Sequence, residues 1–236
     1  MPDRIIGILG GMGPEATADF FREIIQLTPA SRDQDHIPVL IYSNTRIPDR
    51  TAAILEGGED PLPLLIDSAK VLERAGAGII TMPCNTAHLY VESLRRATAI
   101  PVLHMIDETV RELRSRYPEL RSVGLLATTG TIRAGIYQSA LGAAGIAAVV
   151  PEEPDQDRIM AVIRDIKADR NRDEARRSVK RICLGLAAQG AEAVILGCTE
   201  LPLVLDTKRP PCPLLNPTRI LAQAAVKWAR GGAADD

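Results

Sequence analysis

The chain has 236 residues, 46% hydrophobic and 25% charged, which is enough for one large core or two compact lobes. With 28 basic against 30 acidic residues and only 3% aromatics, it lacks the basic excess and the rings that a nucleic-acid groove requires, and the charge that an anionic membrane surface attracts. Four cysteines without a CxxC pair argue against a disulfide framework, a zinc knot or a thioredoxin-type site; the apolar run at 5–9 is too short for a signal segment or a membrane span, so a cytoplasmic protein with reduced thiols is expected.

In chain order, IIGIL (5–9) is the first predicted strand. Residues 14–27 (PEATADFFREIIQL) follow as a helix that opens on Pro14 and puts Phe20, Ile24 and Leu27 on one side. PVLIYS (38–43) is the next strand. In DPLPLLIDSAKVLERAGAG, Asp60 is the predicted N-cap and Pro61 the first helical residue; Leu65, Ala69, Leu72 and Gly76 share a face, and Gly76 and Gly78 end the helix. Further strands are predicted at GIITM (78–82), PVLHM (101–105), VGLLA (123–127), AAVV (147–150), AVIL (193–196) and PLL (213–215). The charged stretch 169–181 (DRNRDEARRSVKR) reads as the solvated face of a helix. These strand runs are nearly continuous in apolar character, the pattern of parallel strands buried on both faces in an α/β protein. Ligands of such sheets bind at the carboxyl ends of the strands, so informative residues are expected just after each run.

The two halves of the chain echo each other. IIGILGGMG (5–13) resembles SVGLLATTG (122–130), AGAGIITMPCNT (75–86) resembles QGAEAVILGCTE (189–200), and PVLHMIDET (101–109) parallels CPLLNPTRI (212–220). Cys84 lies 77 positions after Gly7, and Cys198 lies 74 after Gly124. The repeat predicts two similar lobes, each a parallel β-sheet flanked by helices, related by a pseudo-two-fold axis, with the halves dividing near 117–122. Each lobe would end one strand in a cysteine, and the two cysteines would face each other.

A cysteine between a strand end and a helix start sits near backbone N–H groups and the positive end of the helix dipole, which favours thiolate. Two such thiols on opposite sides of a small substrate suit proton transfer, one removing a proton from carbon and the other delivering one to the opposite face. The competing reading is a pair of small buried core cysteines. Cys183 and Cys212 have no counterpart in the other half and read as structural. Cys84 and His88 have the spacing of two metal ligands on a helix, but no second cluster completes a site, so no metal is expected. His88 and His104 read equally well as local hydrogen-bonders and as catalytic groups. Gly11-Met12-Gly13-Pro14-Glu15-Ala16 fits a GxGxxG/A fingerprint, yet the next strand ends in Ser43-Asn44 without the acidic residue that holds a ribose; the glycines read as a tight turn that presents N–H groups to a carboxylate.

GILGGMGPEAT (7–17), IPDRT (47–51), MPCNTAH (82–88) and LGCTEL (196–201) together resemble the pyridoxal-phosphate-independent aspartate/glutamate racemase family, and GGMGPEAT with GCTE is more similar to its aspartate racemase branch. With the repeat, the resemblance spans almost the whole chain. It implies a cofactor-independent racemase, with Cys84 and Cys198 as the catalytic pair, and Arg50 and Lys167 as cations for substrate carboxylates. It implies that Met12, Asn85, Thr86, Thr129 and Thr199 line the pocket, with His88 and Glu200 placed to tune the thiols. The implied substrate is an acidic amino acid, aspartate by the branch's pattern, and the implied assembly a homodimer. In relatives the last strand and helix return to the first lobe, which gives lobes of 1–102 with 211–236, and 103–210. One departure is PLLNPT (213–218), where Asn216 and Pro217 replace the Asp-Thr that relatives often carry; this bears on specificity. The alternatives are a glutamate or broad-specificity racemase or a dicarboxylate isomerase, a cysteine hydrolase that would leave one thiol unexplained, and a non-catalytic amino-acid binding protein.

Overall fold

The computed structural model describes residues 4–205 and 212–232. The chain divides into two units, Met1–Glu108 with Thr218–Asp236, and Thr109–Pro217. The first carries β1 (Ile6–Gly10), α1 (Pro14–Leu27), β2 (Val39–Ser43), α2 (Arg50–Leu55), α3 (Leu62–Arg74), β3 (Ile79–Thr81) and α4 (Val91–Ala97). The unit boundary falls within α5 (Met105–Arg116). The second carries β4 (Ser122–Ala127), α6 (Thr129–Ala134), α7 (Ile136–Ala143), β5 (Ala147–Val149), α8 (Glu153–Lys167), α9 (Arg172–Ala188), β6 (Ala193–Gly197) and β7 (Leu214–Leu215). The closing helix α10 (Pro217–Ala229) belongs to the first unit from Thr218 onward. The lobe boundary expected between 210 and 211 lies outside the described residues; β7, just beyond it, pairs with β6.

Both sheets are parallel and share one winding. The first runs β2-β1-β3 and continues as a single parallel bridge from Ile80 to Val102; the second runs β5-β4-β6-β7. In each, the first strand of the unit sits between the second and third, the order expected of a doubly wound sheet. The fold is α/β, as the strand and helix alternation predicts.

Strand residues alternate between two helix layers. Ile6, Ile8 and Ile79 pack with Phe20 and Ile24 of α1 and Leu221, Ala225 and Trp228 of α10. Leu9 and Ile80 pack with Leu65, Ala69 and Leu72 of α3 and Val91 and Leu94 of α4. In the second unit Leu126, Val194 and Leu196 meet Ile159 and Ile163 of α8 and Val179, Ile182 and Leu186 of α9. Phe20 is fully buried, and truncating it to Ala removes packing worth about 3–5 kcal/mol.

The repeated glycines have a packing reason. A Cβ on Gly7 would stand 2.8 Å from Ala77 Cβ and 3.5 Å from Leu72 Cβ; one on Gly124 would stand 3.0 Å from Leu186. Each glycine lets the helix before the cysteine-bearing strand lie close against the sheet.

Three local expectations need correction. PVLHM (101–105) forms only the Val102 bridge, because Pro101 has no N–H to donate and α5 begins at Met105. The third helix starts at Leu62 with Pro61 as its cap; Asp60 instead accepts from the Leu62 N–H at 3.0 Å. β2 is an edge strand, with Ile41 and Tyr42 exposed, and not buried on both faces. The charged stretch 169–181 is the solvated face of a helix as expected, and only its start differs: Asp169 and Asn171 are left-handed in a turn, and α9 begins at Arg172. No helix among the described residues is long and apolar enough to cross a membrane.

Candidate active site

The first cluster is built at the carboxyl ends of β1 and β3. After Gly10 the chain turns through Gly11 at φ +95°, where a Cβ would stand 2.4 Å from the Asn44 backbone. Thr17 of α1 locks this turn: its hydroxyl accepts from the Gly11 N–H at 2.9 Å and donates to the Gly13 carbonyl at 2.8 Å. The turn delivers the Met12 carbonyl to Arg50, whose Nη2 donates to it at 3.2 Å. Arg50 opens α2, held there by Asp49, whose side chain caps the helix through the Ala52 N–H at 2.8 Å. Its Nη1 donates to the carbonyls of Pro48 (2.9 Å) and Ile47 (3.4 Å). The guanidinium is 8% exposed, its Nε has no hydrogen-bond partner, and among the described residues no carboxylate pairs with it. A buried guanidinium left without an anion is costly, and a carboxylate brought to the free Nε would offset that cost.

Cys84 follows β3 and is 5% exposed. Its N–H folds back to the Met82 carbonyl at 2.8 Å, and its carbonyl accepts from His88 Nδ1 at 2.9 Å. A carbonyl only accepts, so Nδ1 carries the hydrogen and the buried Nε2 is left without a partner. Burial, with His104 edge-on at 5.1 Å between ring centroids, pushes His88 down to about 3. Burial, and then Arg95, pushes His104 down to about 4. Both rings are neutral at neutral pH. Asn85 and Thr86 are buried beside Cys84. The helix expected to start after Cys84 is here a five-residue 3₁₀ segment, Thr86–Tyr90, and α4 begins only at Val91, so the α-helical dipole starts away from the sulfur.

The second cluster lies at the ends of β4 and β6. Cys198 is 6% exposed, and its Sγ donates to Glu200 Oε2 at 2.9 Å. The Thr199 hydroxyl donates to the same oxygen at 3.2 Å, and the Lys167 ammonium, from the last residue of α8, stands 3.8 Å from Oε1. Burial first and the Glu200 carboxylate second push the Cys198 thiol well above its ordinary value, while Lys167 pulls it back. This runs against the expected thiolate: Leu201–Leu203 is a single 3₁₀ turn, and a carboxylate, not a helix dipole, dominates the charge at the sulfur.

Thr129 opens α6. Its hydroxyl accepts from Gln156 Nε2 at 3.1 Å, and its N–H meets Met160 Sδ at 3.2 Å. Gln156 also donates to the Ala127 carbonyl at 3.1 Å, so it ties α8 to the end of β4. Sequence reasoning did not single out Gln156 or Met160; the only signal was their placement, with Lys167, on one helical face of α8. The structure thus joins Met12 with Arg50 and Cys84 with His88 in the first unit, and Lys167, Cys198, Thr199 and Glu200 in the second. Among the described residues no group of three or more His, Cys, Asp or Glu side chains could hold a metal ion.

Residues 9–225 match the family model described as Asp/Glu/hydantoin racemase. The chain is 33% identical over 227 residues to the broad specificity amino-acid racemase RacX of Bacillus subtilis (strain 168), across 94% of this chain and 96% of that protein. Among solved structures, the aspartate racemase of Picrophilus torridus is similar with a TM-score of 0.84 at 34% identity, covering 96% of this chain and 94% of its own. A glutamate racemase from Francisella tularensis, at 18% identity and a TM-score of 0.70 over 97% of this chain and 81% of its own, shares the fold. The chain belongs to the Asp/Glu/hydantoin racemase family and is an amino-acid racemase, an isomerase.

Proposed function

We propose that the chain racemises aspartate without pyridoxal phosphate, with Cys84 and Cys198 as bases on opposite faces of the substrate Cα. The observation that carries this reading is the paired placement of the two thiols: each unit winds its sheet in the same order and ends its third strand in a buried cysteine, at Cys84 after β3 and Cys198 after β6. Breaking the Cα–H bond leaves an electron pair that spreads onto the α-carboxylate, and fixed donors around that carboxylate lower the barrier. Arg50, with Nε unpartnered, is suited to grip a carboxylate, and Met12 beside it shapes that end of the pocket. Asn85, Thr86 and Thr199, adjacent to the thiols, supply polar contacts. Thr129, whose oxygen is already engaged by Gln156, keeps its hydroxyl hydrogen for another acceptor. Lys167 contributes positive charge through its pairing with Glu200. A cytoplasmic homodimer completes the proposal.

The 34% identity to an aspartate racemase favours aspartate; the 33% identity to a broad-specificity racemase favours a second reading in which several amino acids are accepted. Incubation of the purified protein with single enantiomers of aspartate, glutamate and a panel of neutral amino acids in D₂O, with no added pyridoxal phosphate, decides between them. Aspartate is expected to gain deuterium at Cα and lose optical purity fastest. A neutral amino acid that exchanges faster moves the assignment to broad specificity, and no exchange with any amino acid overturns both.

A further inference from the structure

We propose that Glu200 is a catalytic residue that holds the resting proton on Cys198, so that Cys198 enters the reaction as the acid and Cys84 as the base. The inference rests on the two-thiol reading above and assigns the starting protonation states that reading leaves open. Its basis is the contact of Cys198 Sγ with Glu200 Oε2 at 2.9 Å, in a carboxylate that is itself 4% exposed. Oε2 accepts from the Thr199 hydroxyl as well, and Lys167 faces Oε1, so the carboxylate is fixed on both oxygens. A thiol donates to such an oxygen, whereas a thiolate at the same distance meets a like charge in a water-poor site. Nothing comparable surrounds the other sulfur: among the described residues no side chain hydrogen-bonds the Cys84 thiol, and His88, which holds its carbonyl, is neutral.

The proton count follows. The substrate Cα–H bond breaks and its proton goes to the Cys84 thiolate, leaving the electron pair on Cα and the α-carboxylate. The Cys198 S–H bond breaks and its proton forms the new Cα–H bond on the opposite face. The enzyme is left with Cys84 as thiol and Cys198 as thiolate beside Glu200, and a proton passed between the two through solvent restores the start. Of the two singly deprotonated forms, the enantiomer that presents its Cα–H to Cys84 uses the one in which Cys198 keeps its proton, hydrogen-bonded to Glu200, and its mirror image uses the other. Enantiomers are equal in energy, so kcat/KM is the same in both directions for every variant, and the asymmetry shows only in kcat and KM taken separately.

The test titrates the thiolate ultraviolet absorbance of the protein without substrate, with the Cys198 contribution assigned as the difference from C198S. Glu200→Gln is expected to move the Cys198 midpoint down by at least one pH unit, roughly tenfold in thiolate population below it, and to narrow the difference between the KM values of the two enantiomers. Lys167→Met is expected to move the midpoint the other way, a sign that a merely structural disturbance would not reproduce. A midpoint that stays or rises in Glu200→Gln overturns the assignment. Because the titration needs no turnover, a protein that fails to exchange any amino acid in D₂O refutes the racemisation reading and leaves this result standing on its own.

Discussion

The two cysteines occupy the same place in two similarly wound sheets, yet the groups bonded to them differ. Among the described residues no charged side chain bonds the Cys84 sulfur; its N–H turns back to Met82 and the His88 imidazole holds its carbonyl. Cys198 sits in a charged network of Glu200, Lys167 and Thr199. Repetition of the backbone, set by Gly7 and Gly124 under their helices, places the sulfurs alike. The side chains then break the equivalence. Two identical thiols close together would still share one proton, because like charges repel; under the two-thiol reading the unlike surroundings bias which sulfur keeps it.

The largest effect expected is from Cys84→Ser and Cys198→Ser. Serine keeps the size of the side chain but is a far weaker acid than cysteine, so each substitution alone should lower kcat/KM by 10³-fold or more, about 4 kcal/mol of transition-state stabilisation, with the unfolding transition little changed. Chiral chromatography of the aspartate pool over time reads it. The unlike surroundings make this a strict trial: if one serine variant keeps the wild-type rate, the cysteines differ in necessity as well as environment, and the two-base reading fails.

Arg50 breaks the comparison differently, since it is a cation of the first cluster whose Nε has no partner. Arg50→Ala should cost on the order of 10²-fold in kcat/KM, mostly through KM, and Arg50→Lys should recover only part of it because an ammonium cannot present the planar fork. Equal activity of Arg50→Ala with the wild type would remove the carboxylate from this end of the site.

Gly11 tests whether the first cluster depends on its backbone. Alanine there combines a left-handed φ of +95° with a Cβ 2.4 Å from the Asn44 backbone, and neither strain can be relieved by a side-chain movement. A stability loss of about 2 kcal/mol or more is expected in denaturant titration, with Arg50 losing its Met12 partner. A stability loss confined to a few tenths of a kcal/mol would show that the turn relaxes and does not govern Arg50.

How much of this was legible in the sequence differs between the two clusters. Continuous apolar runs identified the strands, and the paired Gly and Cys positions identified the repeated winding, because packing a helix on a parallel sheet imposes those patterns locally. β2 misled because its apolar composition does not reveal that it lies at the sheet edge, and Pro101 reduced a predicted strand to one bridge. In the site, Arg50 and the two cysteines stood out by motif, while the pairing of Lys167 with Glu200 did not: it joins residues 33 positions apart on α8 and after β6, and nothing in either stretch names the other. The thiolate expected at Cys198 failed because a dipole argument leaves out burial, which tertiary packing supplies, and the carboxylate of Glu200, which lies only two positions along in the same motif and turns back onto the sulfur. Gln156 and Met160 were invisible because a polar or thioether side chain on a helix carries no mark of the strand end it supports.

The smallest effect sharpens the comparison by asking whether the His88 imidazole beside Cys84 stays neutral for a structural reason. His88 is buried with its affinity for a proton lowered to about 3, against about 6.5 for a free histidine. Between those values the unfolded chain binds a proton that the folded chain refuses, so stability is complete above pH 6.5 and falls as the pH drops toward 3. At pH 5 this one group withdraws on the order of 2 kcal/mol. Asparagine can place an amide donor where Nδ1 stands but cannot titrate. His88→Asn should therefore retain the bond to the Cys84 carbonyl, lose less than tenfold in kcat at neutral pH, and flatten the decline in unfolding free energy between pH 7.5 and 5 by about that amount. His104, lowered to about 4, leaves a residual acid slope in the variant. His88→Ala separates position from charge, because it also removes the acid slope but leaves the carbonyl without its donor and opens a void, and so should be less stable than His88→Asn already at pH 7.5. If His88→Asn keeps the full acid slope, the imidazole accepts its proton without unfolding the unit, and burial does not hold it neutral.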